Sequence, residues 1–561
     1  MKLTIFLLLI ILALPACSQN ETITKANKDK LLLNGKIYTV NQQQPWAEAV
    51  YIKNGKIEFV GSNAEAKTIA ATEAEIINLK GAMVMPGIQD IHMHPLEAES
   101  PFAGTCLLSS QETNAENFIA VLRDCAPYQL ASDWVLGSGH SVFTLLESNR
   151  LPVEILDQAI PDKPAVIMEE TSHSIWVNSK ALALAGIDSN TPNPTGGVIV
   201  KDPLTGKPTG ILFDSAGDLI MDMAWLPTEA IKKLNYKGLL SALKKINSYG
   251  ITSLAEGRTY WKRDFQEAWQ QAETEGQLTV RAVLNLWMYP NEDDDLQISQ
   301  LSKLYKNNPN SLLKISQIKV YSDGILINTT AAMLKPYLIT LGEIPSKNGL
   351  NYFTEPRLIK YIKALEPVGF DFHIHAIGDR AVHESLNAIK QGNGKSRHRI
   401  THLEIVNSAD YKRFKQLNVT ADMQVAGDFT QPSHWSENKT LIGSRADNLI
   451  PLKSLYDAGA RITLSSDWDV STLNPFVGMQ NALTRTPQNL PDLATVIKTY
   501  TINPAYALRQ EDTTGSIEVG KFADIIVLNQ NIFNVSTNQI KNTKVLKTYL
   551  NGNLVFSYDP R

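Results

Sequence analysis

Positive charge is in no surplus along this chain. Its 561 residues carry 53 Lys and Arg against 57 Asp and Glu, a formal net charge of −4, which gives no footing for nucleic-acid binding. No internal repeat or low-complexity tract is present, so nothing indicates a repeat architecture. Long hydrophobic runs are also missing. The one candidate, residues 3–14, is too short to span a bilayer. Cysteine is scarce, with three in all: Cys17, Cys106 and Cys125, none in a nucleophile motif. What the chain does have is 43% hydrophobic residues and the length to bury a large core in more than one domain. The acidic run Glu292-Asp293-Asp294-Asp295 reads as a solvated loop.

The N-terminus reads as a targeting segment rather than as fold. Lys2, the apolar run and then Pro15-Ala16-Cys17 have the layout of a secretory signal. Leu14-Pro15-Ala16-Cys17 resembles a bacterial lipoprotein box, with Cys17 as the lipidated first residue of the mature protein. An ordinary cleaved signal followed by a free cysteine is the alternative. Ser18, rather than Asp, after the cysteine favours outer-membrane sorting by the same resemblance. The expectation is a protein of the periplasm or cell envelope, held to the membrane by its lipid. Residues 1–17 form the signal and 18–30 a polar tether. In that oxidising compartment Cys106 and Cys125 are expected to pair as a disulfide.

Asn34-Gly35 and Asn54-Gly55, between apolar or alternating runs, are hairpin signals, and Asn551-Gly552 repeats the style near the other end. One small β-sandwich-like domain built from both chain ends, 31–84 and 515–561, follows from this symmetry. Between them strand-like and helix-like segments alternate. Candidate strands are 82–91, 251–255, 279–286, 315–321, 370–375, 400–403, 419–424 and 461–465, with helical patterns such as 357–365 and 380–389 between them. Eight strands alternating with helices predict an α/β fold of the (β/α)8 TIM-barrel type over 85–514. The first strand-to-strand step is far too long for one βα unit. An insertion at about 100–245 therefore sits over the end where barrel active sites lie.

His92 and His94 stand two apart near a strand end and so share one face, as half of a metal site or as two packed histidines. Other candidates fall at matching places. Lys319 lies late in the fourth strand, His375 ends the fifth, His402 ends the sixth, and Asp467 follows the eighth. Parallel barrel strands converge at one mouth, so these donors could meet there although they are distant in sequence. A buried lysine needs a partner or a depressed pKa. His373 shares the face of His375 but lies further from the mouth. His398 reads as structural and His383 as exposed on a helix. His434, in a polar loop, carries no assigned role.

Taken together, these residues resemble the amidohydrolase superfamily, most closely its amidohydrolase-3 branch of YtcJ-like metal-dependent hydrolases. The matching motifs run in order: Pro86-Gly87 before His92-Met93-His94, Lys319 with Asp323-Gly324, His375-Ala376-Ile377-Gly378-Asp379, residues 399–404, and Ser466-Asp467. Residues 172–178 and 515–524 also match segments of that branch. The resemblance implies a divalent metal, zinc in the usual case, one or two ions per chain. Its ligands would be His92, His94, His375, His402, Asp467 and Lys319, the last as N6-carboxylysine. It further implies that Asp467 is catalytic, taking a proton from a metal-activated water, and that the substrate is a small-molecule amide or cyclic amide cleaved at a carbon–nitrogen bond that is not a peptide bond.

His140, His173 and Asn178 in the insertion are candidate substrate contacts. Thr329 stands where the branch often has arginine, and Asp469 where it often has proline, so substrate contacts differ there. A mononuclear deaminase of the same superfamily and a non-catalytic, metal-containing surface lipoprotein are the alternatives. Lys319 speaks against the first and the complete ligand set against the second.

Overall fold

The computed structural model describes residues 28–100, 106–128, 132–341, 344, 346–427 and 430–559. Cys17, the expected signal segment and the expected tether as far as residue 27 lie outside the described residues. Among the described residues no helix is long and apolar enough to cross a membrane.

The central sheet has eight parallel strands: β1 (Ile88–Met93), β2 (Ile251–Thr259), β3 (Arg281–Trp287), β4 (Leu313–Tyr321), β5 (Asp371–Ala376), β6 (Arg399–His402), β7 (Thr420–Met423) and β8 (Arg461–Leu464). Each strand pairs with the next in sequence. The ring is completed just beyond the strand ends. The Asp467 N–H donates to His92 O at 2.8 Å, the His94 N–H to Trp468 O at 2.5 Å, and Met93 and Trp468 form a parallel bridge. This is the (β/α)8 barrel expected from the alternation. Helices cover its outer face, so β1 and β2 are buried along their whole length, as strands enclosed on both faces must be. The helix Asp379–Lys390 shows how the cover is made. Its Val382, Leu386 and Ile389 are buried, a spacing that puts them on one stripe.

Two expectations need correction. The run 82–91 is not one strand. Met83–Pro86 pairs with Ile525–Leu528 from the other end of the chain and with Lys36–Tyr38, and only Ile88–Met93 enters the barrel. Gly87 lies at the crossing, where a Cβ would stand 2.1 Å from Thr252 Oγ1, so only glycine lets the two segments approach. The acidic run is not a free loop either. Asp293 caps the helix Asp294–Leu304 by accepting from the Leu296 N–H at 2.9 Å, and Asp294 accepts from Arg357 Nε at 2.8 Å. Carboxylates are favoured there by unpaired N–H groups and the helix dipole.

The small β unit is a pair of sheets. One orders Lys56–Gly61, Ala49–Lys53, Lys30–Leu33 and Glu75–Asn78. The other orders Asn553–Ser557, Val545–Leu550, Ile525–Leu528, Met83–Pro86, Lys36–Tyr38 and Trp46–Ala47. Leu32, Ile52, Val84, Ile525 and Tyr549 join them in one apolar cluster. Asn54-Gly55 and Asn551-Gly552 both have positive φ and make two-residue hairpins, as their sequence demands. Asn34-Gly35 does not make a hairpin, because it turns the chain from one sheet into the other.

The insertion after β1 carries its own six-stranded sheet, ordered Gly197–Lys201, Pro208–Asp214, Ser174–Val177, Ala165–Glu169, Val135–His140 and Cys106–Leu107. A disulfide joins Cys106 to Cys125, with Cα atoms 5.3 Å apart, and ties that sheet to the helix Phe118–Cys125.

Arg281 at the start of β3 locks the barrel to the β unit. Its Nε donates to Asp524 Oδ2 at 2.7 Å and its Nη2 to Oδ1 at 3.3 Å, and both side chains are buried. Removing one partner of a buried pair strands the other. Arg281→Ala is expected to cost about 3–5 kcal/mol in denaturant unfolding. Arg281→Met combined with Asp524→Leu is expected to recover most of that loss.

Candidate active site

All six proposed ligand residues reach one end of the barrel. His92 lies on β1 and His94 just past it, Lys319 is on β4, His375 on β5 and His402 on β6, and Asp467 stands three residues past β8. One oxygen of Asp467, Oδ1, is 3.0 Å from His94 Nε2 and 3.3 Å from His92 Nε2. Ligand atoms of these three residues all lie within 4.8 Å of one another. Lys319 Nζ is 2.9 Å from His92 Nε2. The His402 ring lies 5.0 Å from that of His92 and 4.4 Å from that of His375, centre to centre. The imidazoles therefore share one pocket.

Two of the imidazoles are oriented from behind. His92 Nδ1 lies 2.9 Å from Thr401 Oγ1, whose hydroxyl donates to Asp422 Oδ2 at 2.9 Å. Nδ1 thus carries the proton, and the lone pair of Nε2 points at Lys319 and Asp467. His375 Nε2 donates to Gly324 O at 3.1 Å, which leaves the buried Nδ1 with a lone pair and no hydrogen-bond partner among the described residues. Carboxylates and carbonyls behind imidazoles fix the tautomer in this way in metal sites. Gly257 on β2 makes room for the pair on β1. A Cβ there would stand 2.8 Å from both His92 Cδ2 and His94 Cε1.

Electrostatics suit a cation. Burial holds the His92, His375 and His402 rings well below the usual histidine pKa, so they are neutral donors. Burial likewise pushes Lys319 well below the usual lysine value, against the pull of Asp467. Burial alone would raise Asp467, but His92 and His94 outweigh it and hold the carboxyl well below the ordinary range. Burial opposes protonation of His94, yet Glu97 and Asp467 overcome it and raise that ring to about 9. Carboxylates that draw a proton so strongly will also draw a metal. The neutral nitrogens of His92, His375, His402 and Lys319 beside one ionised carboxylate make a donor set fitting zinc or a similar ion, which would displace the proton of His94 on binding.

The backbone is strained at this mouth. His402, Leu403 and Asp467 have φ of 72°, 54° and 53°, and Ser172 and Asp214 of the insertion have 60° and 53°. Such residues cost on the order of 1–3 kcal/mol each and persist where surrounding bonds impose them. Here the Leu403 N–H donates to Ala376 O and the Asp467 N–H to His92 O.

A cavity of about 540 Å³ opens above the ligands, walled by barrel loops and the insertion. His173 lines it. Its Nδ1 lies 2.8 Å from Asp214 Oδ1, and its ring stacks on Tyr321 at 5.4 Å. The other two candidate substrate contacts lie elsewhere. His140 is buried inside the insertion against Trp176 and Phe118, and burial lowers its pKa to about 3. Asn178 is a structural cap. It accepts from the Ala165 and Ala181 N–H groups and donates to Ile160 O and Lys163 O.

His398 is structural as expected, bonded to Glu366 at 2.7 Å, and His383 pairs with Asp410 at 3.1 Å. His373, deeper than His375, accepts from Arg399 Nη2 at 2.9 Å. Thr329 is buried, its Oγ1 accepting from the Leu341 N–H at 3.0 Å.

Sequence reasoning missed several groups at the mouth. Glu97 lies 3.4 Å from His94 Nδ1 and receives Arg258 at 3.0 and 2.5 Å. Arg258 also donates to Tyr321 Oη at 2.9 Å. The i+3 spacing of Glu97 from His94 was a usable signal. Glu404 and His434, the latter without an assigned role in the sequence, line the cavity too.

A closed parallel barrel with histidines, a lysine and an aspartate gathered at its mouth is an architecture of metal-dependent hydrolases. The model of the amidohydrolase family, amidohydrolase-3 branch, matches residues 75–556, and the chain belongs to that family. It is 30% identical to a putative amidohydrolase, YtcJ, of Bacillus subtilis, over 93% of this chain and 98% of that one. It is 25% identical to an N-substituted formamide deformylase of Arthrobacter pascens, over 94% of this chain and 98% of that one. Among solved structures, an uncharacterized metal-dependent hydrolase of Pyrococcus furiosus superposes with a TM-score of 0.69 at 25% identity. That alignment covers 90% of this chain and 99% of the other.

Gly257→Ala is expected to displace the two β1 imidazoles and lower the bound metal severalfold by elemental analysis. The melting temperature of the metal-free protein should change little by comparison. Full metal content in that variant would refute the account of Gly257.

Proposed function

We propose that this chain is a hydrolase of carbon–nitrogen bonds, other than peptide bonds, in small amides or cyclic amides. The observation that carries the reading is the meeting of His92, His94, Lys319, His375, His402 and Asp467 beneath one cavity. A cavity of about 540 Å³ suits a small molecule. The deformylase relative makes an N-substituted amide a natural first substrate to try.

The nitrogen-rich donor set favours zinc. His92, His94 and Asp467 would hold one ion, and His375 and His402 offer donors for a second. Lys319, buried and uncharged, is a nucleophilic amine. Its Nζ lone pair would attack the carbon of carbon dioxide, an N–C bond forming as one C=O π bond opens onto oxygen and the N–H proton passing to solvent, and the N6-carboxylysine would offer two oxygens. A divalent cation bound there supplies a Lewis acid for the amide carbonyl and brings the pKa of water toward ~7.

The chain's own groups do the rest. Asp467, ionised at neutral pH and set against His92 and His94, accepts the proton of the attacking water and returns it to the leaving amine nitrogen. His173, with Nδ1 fixed by Asp214, offers its other ring nitrogen to the substrate. Ile325, Leu326 and Ile327, following the Asp323-Gly324 motif, face the cavity and fit an apolar substituent.

Asp467→Asn is expected to lower kcat on N-substituted amides by about 10²–10⁴-fold while the melting temperature stays close to that of the parent. Unchanged turnover would remove the assigned role. Lys319→Ala is expected to lose metal, which short carboxylic acids would partly restore. Full occupancy without Lys319 would rule out the carboxylated lysine. Counting metal ions per chain separates this reading from the mononuclear deaminase.

A further inference from the structure

The cavity over the ligands has an uneven charge balance that the hydrolytic chemistry does not use. Among the described residues three carboxyl groups line it, those of Asp467, Glu170 and Glu404, and no lysine does. Its arginine, Arg258, is already committed to Glu97 and Tyr321. Among the described residues, no lysine or uncommitted arginine lines the cavity to meet a substrate carboxylate.

Glu404 is the unexplained member. It follows His402 and Leu403, the two residues with positive φ. Its position is fixed by backbone bonds: the Ile450 N–H donates to Glu404 O at 2.7 Å, and the Ile405 N–H to Ile377 O at 2.9 Å. Ile377, Leu449 and Ile450 share the wall with it. No hydrogen bond or ion pair reaches its carboxyl among the described residues. The side chain is half-buried at the cavity wall, and a ligand that brings a donor there would supply the bond that the described residues do not. No hydrogen bond joins Glu404 to Asp467 among the described residues. The hydrolysis described above leaves it idle.

We propose that Glu404 is a specificity-determining residue: its carboxyl receives an amine or ammonium group carried on the apolar substituent of the substrate. The substrate class is then an amide whose hydrophobic arm ends in a basic nitrogen. Amides bearing a free carboxylate on that arm are rejected. The inference rests on the hydrolase reading for its kinetic test and is independent of it for its binding test.

The kinetic probes are N-(4-aminomethylbenzyl)formamide and N-(4-methylbenzyl)formamide, which differ in one ammonium group. The metal-loaded protein is expected to prefer the first by about tenfold or more in kcat/KM, as a site built for a donor rejects its apolar analogue. In Glu404→Gln the preference should shrink, and in Glu404→Leu it should disappear or reverse. Calorimetric binding of the corresponding diamine and monoamine tests the same contact without turnover, with the same order expected for parent and variants. Binding discrimination that Glu404→Leu abolishes, with neither amide cleaved, would uphold the contact and sink the hydrolase reading. Cleavage of both amides with equal efficiency, or equal binding of both amines by the parent protein, would overturn the role of Glu404.

Discussion

The site depends on one junction, the closure of the sheet between its first and last strands. Backbone bonds between Asp467 and His92 and between His94 and Trp468 do more than complete a barrel. They place the carboxylate after β8 beside the two imidazoles of β1, although the residues are more than 370 positions apart. Parallel strands in register then bring the other ligands toward the same mouth, Lys319 two residues deeper than His375. Lys319 sits across from His373 and Tyr321 across from His375 in the β4–β5 ladder, and Ala376 across from His402 in the next. A slip of one residue would turn any of these side chains to the opposite face. The site is in this sense a property of sheet register, and the side chains inherit their geometry from it.

Around that junction lies a polar network whose parts support one another. Asp422 on β7 accepts from Thr401, Thr463 and Ser465, and through Thr401 it fixes the ring of His92. Arg258 on β2 neutralises Glu97, which lies against His94. Buried charge is tolerated here because nearly every group meets an opposite charge or a donor. The lone pairs left over, on His375 Nδ1 above all, face the place where a metal would sit.

Much of this could be read in the sequence because the signals were local. Strand ends with His, Lys and Asp at matching positions announced the barrel and its mouth, and the Asn-Gly pairs announced two of the hairpins. What escaped notice was set by contacts distant in sequence. The division of 82–91 into two strands depends on Ile525–Leu528 arriving from the far end. His140 and Asn178 look like ligands in a list of residue types, but the insertion uses one as packing and the other as a cap. Arg258 stands in no motif, and Glu404 ends the matched segment 399–404 without a role of its own there; only the folded cavity shows that they share it. His434 looked like an ordinary loop residue for the same reason.

The joint between Met83–Pro86 and Ile525–Leu528 also bears on how such a chain is made. Met83–Pro86 lies immediately before the barrel, yet one of its two sheet partners emerges from the ribosome only after the whole barrel has been synthesised. Until then the strand has an open edge, and exposed edges recruit other chains. The topology therefore sets a vulnerable interval, and premature termination anywhere before residue 525 leaves that edge unsealed.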